Sequence, residues 1–397
     1  MRAPGERARS KQILYYVDRY LPASQSFVAQ QAKALRRYEP EVLAGRLIDS
    51  PSRGIGNFPL HDISGSYVMR AGELAVKVAR VPMPWALPAI GRSTLVHAHF
   101  GKNGYVIGPV AMAAGKPLVT TFHGFDATYA GSPKAAGGFN QSRFFAHGRR
   151  EMARWESWNI AVSDFIADRL KALGFPESRV FRHYIGIDTT LFRPRSVARR
   201  PNRVVAVARF VEYKGHRFLI EALAEVQRGG VPVELVMVGQ GPLRQEIESY
   251  AKKYIAHVEV IDRLSQPEIA DLLATARLYL HGSVALENGH AEAFGIANLE
   301  AQAVGTPVVA FRSGGVAEAL VAGKTGEAVA ERDVKAMAVA IAALLTDDAK
   351  WQSYSRSAAE MVASRFDIVA QAAALEDYYD AVVAAHAGSP QPVLSTV

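Results

Sequence analysis

Residues 203–227 read RVVAVARFVEYKGHRFLIEALAEVQ and contain the unit that repeats along this chain. Arg203–Ala208 is a short apolar run, typical of a buried strand, and Arg217–Gln227 has the apolar spacing of an amphipathic helix. A polar turn that contains Gly215 joins the two segments. A strand that leads closely into a helix is the building block of parallel sheets covered by helices on both faces.

The same unit recurs on both sides of this stretch. Further strand-like runs are Ile13–Val17, Leu95–His97, Pro117–Phe122, Asn159–Val162, Glu234–Val238, Leu278–His281 and Pro307–Phe311. The amphipathic segments between them are Phe27–Arg37, Asp164–Ala172, Leu243–Tyr254, Gln266–Ala274 and Ile296–Ala303. This alternation predicts an α/β fold of doubly wound parallel sheets.

The length of 397 residues favours two domains over one. The segment Phe192–Asn202 is rich in Arg and Pro and lacks apolar periodicity, which is typical of a linker. We therefore predict a first domain over residues 1–192, a linker over 193–202 and a second domain over 203–366. A helix at about 367–386 is expected to dock back on the first domain. Ligands of such sheets bind beyond the carboxyl ends of the strands, so the cleft between the domains is the expected site.

The composition describes a globular protein, with 49% apolar and 21% charged residues. The chain has no cysteine, which excludes disulfides and thiolate metal sites and favours a reducing compartment. The net charge of +8 favours anionic partners, among them a nucleotide diphosphate, an acidic lipid surface and nucleic acid. Nucleic acid is the weakest of these, since the basic residues are dispersed and no recognised module is present.

We expect the protein to be cytoplasmic, because no membrane-targeting pattern is found in the sequence. No apolar run is long enough to span a bilayer, and no signal-peptide core follows the basic N-terminus. Basic stretches such as Arg36-Arg37 and Arg143–Arg154 suit peripheral contact with anionic lipid on the inner face of the plasma membrane, although a solvated surface explains them equally well.

The strongest chemical signal is EAFGIANLE at residues 292–300. Gly295 permits an unusual turn, and a helix that begins near Ile296 would aim its free N–H groups at an anion. About eight helical residues span about 12 Å, comparable with a sugar diphosphate, so Glu292 and Glu300 are placed to accept from sugar and ribose hydroxyls. The alternative is a solvated loop charge and a partner of the helix dipole.

Two cations emerge at the carboxyl end of the strand described first. Arg209 and Lys214 can neutralise a diphosphate, although an ordinary solvated basic loop has the same composition.

Gly239 and Gly241 occupy a further strand-to-helix turn, which indicates either tight packing or backbone approach to a nucleotide. The usual dinucleotide fingerprint is absent, because position 244 is Arg.

The first half of the chain supplies candidate site residues for the opposite wall of the predicted cleft. His123 and Asp126 follow the strand Pro117–Phe122 and are placed to touch a bound sugar, although a buried His satisfied by backbone is the competing interpretation. His97 and His99 end another strand, but no Cys, His or carboxylate set completes a metal site, so none is predicted.

Serines precede the first amphipathic segment. Ser24 or Ser26 is placed to cap the helix that starts near Phe27, or to contact donor or acceptor.

These motifs together resemble the retaining glycosyltransferase family 4, which has the GT-B fold of two Rossmann-like domains facing across a cleft. The resemblance runs from about residue 12 to about residue 380. It is carried by the E-x7-E pair, Arg209 and Lys214, the G-x-G turn, and the HGFD turn at 123–126. The first half, with S-x-S-F and HAHFG, is similar to bacterial exopolysaccharide, lipopolysaccharide and colanic acid transferases.

The resemblance implies transfer of a hexose from a UDP- or GDP-sugar to a glycan or lipid-linked acceptor, with the anomeric configuration retained and with no cofactor or metal. It implies a catalytic set of Arg209, Lys214, Glu292 and His123. Arg209 and Lys214 would hold the diphosphate, Glu300 the ribose and Glu292 the transferred sugar. Further donor contacts would come from Phe294, Gly295, Ile296, Gly239 and Gly241, and acceptor or sugar contacts from Asp126, Ser26 and His99.

Three departures from the family pattern keep alternatives open. The turn after the first strand lacks a Gly pair, Ala293 stands where Gly is common, and Asp262 stands where many members have Gly near the base. The nucleobase is therefore left open. A GT-B nucleotide-sugar epimerase and a non-catalytic nucleotide- or glycan-binding protein are the rival functions.

Overall fold

A computed structural model describes residues 11–20, 26–47, 59–62, 86–129 and 148–388. The first half of the chain forms a seven-stranded sheet in the order β3-β2-β1-β4-β5-β6-β7, and its paired strands are parallel. Its strands are β1 Lys11–Tyr20, β2 Tyr38–Leu47, β3 Leu60–Asp62, β4 Leu95–His99, β5 Leu118–Phe122, β6 Trp158–Ala161 and β7 Val180–Arg182.

The second half forms a six-stranded parallel sheet in the order β10-β9-β8-β11-β12-β13. Its strands are β8 Arg203–Val207, β9 Glu234–Val238, β10 His257–Ile261, β11 Leu278–His281, β12 Val308–Phe311 and β13 Gly326–Val329. In both sheets the strand order reverses beside the first strand, between β1 and β4 and between β8 and β11. Such reversals open the crevices in which doubly wound sheets bind ligands.

Helices connect the strands and cover the sheets. They are α1 Ser26–Ala34, α2 Leu87–Arg92, α3 Gly101–Ala113, α4 Phe125–Thr128, α5 Asp164–Ala172, α6 His216–Arg228, α7 Arg244–Tyr254, α8 Gln266–Thr275, α9 Ile296–Ala303, α10 Val334–Thr346, α11 Asp348–Arg365 and α12 Ile368–His386. A short helix at 148–152 and single 3₁₀ turns at Glu177–Arg179, Glu212–Lys214 and Gly314–Ala319 complete the set. Polar caps fix several starts: Ser163 accepts from the Ile166 N–H, and Asp367 accepts from Val369 and Ala370.

The fold class predicted from the sequence is confirmed, since every predicted strand belongs to one of the two parallel sheets. The strands that the sequence did not reveal lie away from the sheet centres. β10 has the half-exposed pattern of a sheet edge, and β2 carries Pro40 and two glutamates among its apolar residues. Neither has the continuous apolar run that identifies a strand buried on both faces.

The last helix, α12, crosses back to the first sheet. The buried carboxylate of Glu376 accepts hydrogen bonds from the backbone N–H groups of Arg36, Arg37 and Tyr38 at 2.7, 2.6 and 3.1 Å. Tyr379 of α12 places its hydroxyl 3.2 Å from that of Tyr15 in β1. These buried contacts attach the C-terminal helix to the seven-stranded half.

Residues 193–202 contain no helix or strand. Within them Arg199 donates to the carbonyl oxygens of Ala276 and Val304 at 2.8 and 2.7 Å, which fastens this stretch to the second half. Burial lowers the pKa of Arg199 to about 10.

One apolar cluster runs through both halves of the molecule. Phe294 of the second half is 2% exposed and stacks on Tyr184 of the first half, with ring centroids 5.0 Å apart. Ser163 donates to the carbonyl oxygen of Ala293 at 2.6 Å beside this stack. The two sheets are therefore held together directly beneath the loop that precedes α9.

Candidate active site

A cleft of about 1490 Å³ separates the two halves, and both contribute to its walls. The first half contributes α1 and the turn after β5, with Ser26, Phe27 and His123 among the lining residues. The second half contributes the carboxyl ends of β8 to β11 and the start of α9. This is the location that the rule for doubly wound sheets predicts.

The four side chains on which the sequence argument depends all line this one cleft: Arg209, Lys214, Glu292 and Glu300. Lys214 lies in the 3₁₀ turn between β8 and α6, and Glu292 lies in the loop before α9. Their side chains are 15% and 16% exposed and form an ion pair between Nζ and Oε2. A solvated loop charge does not fit this environment for either residue.

Each member of this pair stabilises the charge of the other. Burial opposes the charge on Glu292, but the Lys214 ammonium and His281 outweigh it and hold the pKa of Glu292 well below its usual range. Burial likewise opposes the charge on Lys214, and the Glu292 carboxylate outweighs it and raises the pKa of Lys214. Both groups are therefore ionised at neutral pH, with a cation held ready in a mostly buried position.

A polar network that the sequence analysis missed supports Glu292. Ser283 donates to Glu292 Oε2 at 3.0 Å, and His281 Nε2 lies 2.8 Å from Ser283 Oγ. His281 Nδ1 lies 2.7 Å from Asn298 Oδ1 on α9. His281 ends the predicted strand Leu278–His281, and this position at a strand's carboxyl end was the available signal. No sequence pattern marks Ser283 or Asn298 as members of this network.

The N-terminus of α9 faces the same space. Gly295 has φ +119°, a backbone conformation that L side chains rarely adopt, and it starts the helix there. Among the described residues, the backbone N–H groups of Phe294, Gly295 and Ile296 have no hydrogen-bond acceptor. These donors and the positive end of the helix dipole form an anion site beside Lys214. The Phe294 side chain belongs to the core, so only its backbone is available to a ligand.

Arg209 is exposed and reaches over the cleft from the end of β8. Its Nη2 donates to the Tyr213 hydroxyl at 3.1 Å. The Tyr213 ring lies 5.0 Å from Lys214 Nζ and meets the His290 ring edge-on at 4.4 Å. Tyr213 therefore keeps both cations on the same side of the cleft.

Glu300 extends into the cleft from α9, and among the described residues its carboxylate makes no hydrogen bond or ion pair. Burial raises its pKa to about 7. A carboxylate without a protein partner in a ligand cleft is free to accept hydrogen bonds from hydroxyl groups.

Gly239 and Gly241 allow two loops to approach closely. A Cβ at Gly239 would overlap the carbonyl oxygen of Ala208, and one at Gly241 would overlap that of Phe210. Gly239 lines the cleft and Gly241 does not. Tight packing thus explains both glycines, and the donor contact predicted for Gly241 does not fit its position.

On the first wall, His123 lines the cleft and is held from several sides. Its ring lies 4.9 Å from Phe27 and 4.6 Å from Phe100. Its Nε2 lies 3.1 Å from Nδ1 of His99. The geometry is compatible with the sugar contact predicted for His123.

Direct contact of Asp126 or His99 with a sugar does not fit the structure. Asp126 is 5% exposed, and its carboxylate accepts from the backbone N–H groups of Gly101, His123 and Gly124 at 2.7, 3.1 and 2.8 Å. Burial raises the pKa of Asp126, and these backbone bonds oppose the rise. His99 is 1% exposed, behind His123, and burial lowers its pKa to about 3. Both residues shape the wall from behind.

Ser26 lies at the start of α1 and lines the cleft. Its hydroxyl accepts from Gln266 Nε2 of the second half at 3.5 Å, and Gln266 also accepts from Gln30. Ser26 therefore takes part in a contact between the two walls. The alternative cap, Ser24, lies outside the described residues.

Asp262, a departure from the family pattern, lines the cleft beyond β10. Its carboxylate pairs with Arg244 Nε at 2.5 Å, and its side chain stays 58% exposed. Ala293, another departure, has its methyl group against Gly124 of the first wall.

Two structural features bear on metal binding and on contact with a membrane. The described ranges contain no group of three or more His, Cys, Asp or Glu residues arranged to hold a metal ion. Within the same part of the chain, no helix is both long enough and apolar enough to cross a bilayer. Part of the basic stretch Arg143–Arg154 lies outside the described residues.

Comparison with known proteins agrees with the architecture. The family model described as Glycosyltransferase Family 4 matches residues 25–191, and that described as Glycosyl transferases group 1 matches residues 188–361. Two adjoining Rossmann-like sheets matched in this way define a glycosyltransferase of the GT-B fold. The chain belongs to glycosyltransferase family 4.

Curated relatives have diverse names. The putative colanic acid biosynthesis glycosyltransferase WcaL of Escherichia coli is 29% identical over 64% of this chain and 61% of its own length. The chain thus matches less than two thirds of that relative. Glycogen synthase of Mycobacterium tuberculosis is 29% identical over 84% of this chain and 80% of its own length.

Solved structures share the fold at low identity. HepE of Anabaena, in complex with UDP and glucose, has a TM-score of 0.74 at 21% identity and covers 93% of this chain and 99% of its own. WaaG, a glycosyltransferase involved in lipopolysaccharide biosynthesis, has a TM-score of 0.67 at 20% identity and covers 92% of this chain and 99% of its own.

Proposed function

We propose that this protein is a retaining hexosyltransferase. It moves a hexose from a UDP- or GDP-sugar to a glycan or lipid-linked acceptor in bacterial surface polysaccharide synthesis. The observation that supports this most directly is the buried Lys214–Glu292 pair beside the open N-terminus of α9. Relatives named for colanic acid biosynthesis and for GDP-mannose-dependent mannosyl transfer fit the same assignment.

In this proposal the second wall binds the donor. Lys214, Arg209 and the N–H groups at Phe294 and Gly295 hold the diphosphate. Glu292 accepts from hydroxyls of the sugar. Glu300, which has no protein partner among the described residues, accepts from the ribose hydroxyls.

The reaction needs stabilisation of the leaving group. The bond from the anomeric carbon to the diphosphate oxygen breaks, and the acceptor oxygen bonds to that carbon from the same face. The acceptor hydroxyl proton passes to the departing phosphate oxygen. Negative charge builds up on the diphosphate, where fixed cations and helix N–H groups stabilise it. These groups supply the positive potential, so the proposal requires no metal ion and no cofactor.

The location proposed is the cytoplasm, with peripheral contact to anionic lipid. Lys33 and Arg36 lie on the first-half wall of the cleft, where a lipid-linked acceptor would enter. Co-sedimentation with anionic vesicles that weakens with added salt is the expected result. Equal binding to neutral vesicles, or binding indifferent to salt, would contradict this part of the proposal.

The first experiment is a thermal-shift screen with UDP-, GDP- and ADP-sugars, since a donor that binds only the folded state raises Tm. The donor found is then incubated with and without candidate acceptors, and products are resolved by mass and by anomeric NMR couplings. A new glycoside with the donor's configuration supports the proposal. An isomerised nucleotide sugar without acceptor indicates an epimerase, and binding without turnover indicates a binding protein.

Lys214→Ala tests the site within that assay. Loss of one preorganised charge of this kind lowers kcat by about 100- to 1,000-fold. Arg217→Ala is the matched control: it removes a cation three positions away whose partner Glu246 is exposed on the surface. Chelation with EDTA should leave turnover unchanged. Near-normal turnover of Lys214→Ala in a folded protein would rule out the assignment.

A further inference from the structure

Phe125, the first residue of α4, is an exposed aromatic side chain inside the cleft. It is 57% exposed, whereas Phe27 and Phe100 on the same wall are partly buried. No donor contact proposed above involves Phe125. An aromatic ring that stays exposed in a cleft is available to a ligand that has an apolar face.

The neighbours of Phe125 hold its ring in one orientation. Tyr129, one helical turn further on, stacks on it with centroids 4.5 Å apart and ring planes inclined by 19°. The His290 ring of the second half meets it at 72°, with centroids 5.3 Å apart. The Tyr129 carbonyl oxygen accepts from Arg149 Nη2 at 2.7 Å. Phe125 therefore presents a preorganised surface, which lowers the cost of binding.

The proton positions on His290 follow from its contact with Thr128. Thr128 Oγ1 lies 3.1 Å from the Gly124 carbonyl oxygen and 3.0 Å from His290 Nδ1. A carbonyl oxygen only accepts, and Thr128 has one hydroxyl proton. Both contacts are hydrogen bonds only if Thr128 donates to Gly124 and His290 Nδ1 donates to Thr128. Burial lowers the pKa of His290, although the Glu292 carboxylate opposes the shift, so the ring is neutral at pH 7 and Nε2 carries a lone pair.

Nε2 of His290 is open to a ligand. It has no hydrogen-bond partner among the described residues, and unlike Nδ1 of His123 it is not buried. His290 lines the cleft two residues before Glu292. A hydroxyl that donates to Nε2 would therefore lie beside the sugar that Glu292 is proposed to hold.

An aromatic ring beside a lone hydrogen-bond acceptor suits a sugar ring. The C–H bonds of a pyranose form an apolar face that packs on an aromatic ring, and its hydroxyls point from the ring edge toward polar groups. An alkyl chain would cover Phe125 but would take His290 Nε2 from water without a hydrogen bond, which is costly. A phosphate diester has no proton to give to Nε2.

The position of Phe125 favours the acceptor as the occupant. The donor groups proposed above belong to the second half, and Phe125 belongs to the first. Gly124, next to Phe125, lies against the methyl group of Ala293, which is next to Glu292. A sugar on Phe125 would thus adjoin the sugar held by Glu292, as transfer between them requires.

We propose that Phe125 and His290 form a subsite for a pyranose ring of the acceptor, which stacks on Phe125 and donates from one hydroxyl to His290 Nε2. The role of this ring as acceptor rests on the proposed function. The affinity of the subsite for a pyranoside does not depend on transfer.

Saturation-transfer NMR with methyl glucosides, galactosides and mannosides tests the subsite directly, with and without UDP and GDP. At least one pyranoside should bind the wild type, with saturation strongest at its ring C–H protons. Phe125→Ala should raise its Kd about tenfold and Phe125→Trp should keep it. Tyr254→Ala is the matched control, because Tyr254 is 42% exposed and contacts another tyrosine but lies outside the cleft. Binding of no pyranoside, or unchanged binding by Phe125→Ala, would overturn the proposal.

NMR of the full chain labelled with ¹⁵N-histidine tests the hydrogen bond. The His290 signals are assigned by their absence in His290→Gln. Nδ1 should be protonated and Nε2 unprotonated, and the bound pyranoside should shift the Nε2 signal upfield. His290→Phe keeps a ring but no lone pair and should raise Kd about tenfold, while His290→Gln, which has an amide oxygen, should restore most of the affinity. A His290 protonated on Nε2, or equal losses in both variants, would refute this bond.

Kinetics with the donor and acceptor found above separate the subsite from the proposed function. Phe125→Ala and Phe125→Leu should both raise KM for the acceptor about tenfold, with KM for the donor kept. Wild-type acceptor KM in Phe125→Leu would indicate an alkyl chain and refute the sugar ring. Transfer with unchanged acceptor KM in Phe125→Ala would refute the subsite and leave the proposed function standing. Pyranoside binding that Phe125→Ala abolishes, without transfer by the wild type, would support the subsite and refute the function.

Discussion

Two turns meet across the cleft. They contain the same kinds of residue, but these residues make different contacts in each turn. Residues 123–126, the His123 turn, follow β5, and residues 290–295, the Glu292 loop, precede α9. Each contains a glycine with positive φ, Gly124 at +135° and Gly295 at +119°, and each contains one carboxylate. They touch where Gly124 faces the methyl group of Ala293.

The two turns differ in the groups that pair with each carboxylate. Asp126 accepts only backbone N–H groups within the described residues and is 5% exposed, so its charge fixes the path of the chain. Glu292 is satisfied by the side chains of Lys214 and Ser283 at the cleft surface. Side-chain partners can exchange for a ligand without unfolding a turn, whereas backbone partners cannot. The carboxylate of the His123 turn therefore makes its wall rigid, whereas the carboxylate of the Glu292 loop has partners that a ligand can replace.

The largest expected effect separates these two roles. Glu292→Gln keeps the shape but loses the charge that orients Lys214 and the sugar, so kcat should fall by about 100-fold or more. Tm should fall as well, because the mostly buried Lys214 ammonium is left without its carboxylate partner. Asp126→Asn places an amide N–H₂ among backbone donors and should lower the free energy of unfolding by about 1–3 kcal/mol. Its kcat per folded molecule should stay within about tenfold of the wild type.

Transfer rates and urea unfolding of both variants measure this contrast. Glu41→Gln supplies a reference, because it removes a buried carboxylate that pairs with Arg92 and does not line the cleft. The comparison breaks if Asp126→Asn loses activity as fully as Glu292→Gln at unchanged stability.

The sequence predicts the strands of the two sheets better than it predicts which side chains line the cleft. Strands such as Val308–Phe311 are apolar throughout and are predicted correctly, while the edge strand β10 alternates with exposed residues and is missed. Lys214 stands out because it follows the carboxyl end of a strand, and Glu292 because it precedes the turn that starts a helix, eight positions before Glu300. In the sequence, Asp126 and His99 also lie at strand ends, so nothing separates them from residues whose side chains reach the cleft. Only the backbone geometry around them, which depends on distant segments, shows that they lie behind the wall.

The next effect concerns how Lys214 is aimed. Gly215 follows it with φ +62°, and a Cβ there would overlap the Gly282 carbonyl oxygen. Gly215→Ala should therefore lower the free energy of unfolding by about 2–3 kcal/mol and displace Lys214. Gly230→Ala is the control, since Gly230 has φ +86° with open space around it and should lose only about 1 kcal/mol through backbone strain. Equal losses in the two variants would show that the contact with Gly282 is unimportant.

A smaller effect follows from the raised pKa of Glu300. Its folded pKa is about 7, above the ordinary 4.5, so the folded state holds an extra proton between these values. Its contribution to stability is therefore lost as pH rises from about 4.5 to about 7. Donor affinity should change in the opposite direction and fall about tenfold from pH 8 to pH 6, because the neutral carboxyl accepts ribose hydroxyls less well.

Calorimetric titration with the nucleotide sugar at several pH values, in buffers of different ionisation enthalpy, measures both the affinity and the proton released on binding. Glu300→Gln should flatten the pH dependence and match the wild type only at the acidic end. A wild-type affinity independent of pH would remove Glu300 from the donor site.

The smallest effect concerns the contact that joins the two turns. Thr128, at the end of α4, donates to the Gly124 carbonyl oxygen at 3.1 Å, and its Oγ1 lies 3.0 Å from His290 Nδ1 in the second half. Thr128→Val keeps the shape and removes the hydroxyl, so the free energy of unfolding should fall by about 1 kcal/mol and KM for the donor should rise by about two- to fivefold. Thr128→Ser, which retains the hydroxyl, should leave KM unchanged. If Thr128→Ser raised KM as much as Thr128→Val, the methyl group and not the hydrogen bond would hold the His123 turn against the Glu292 loop.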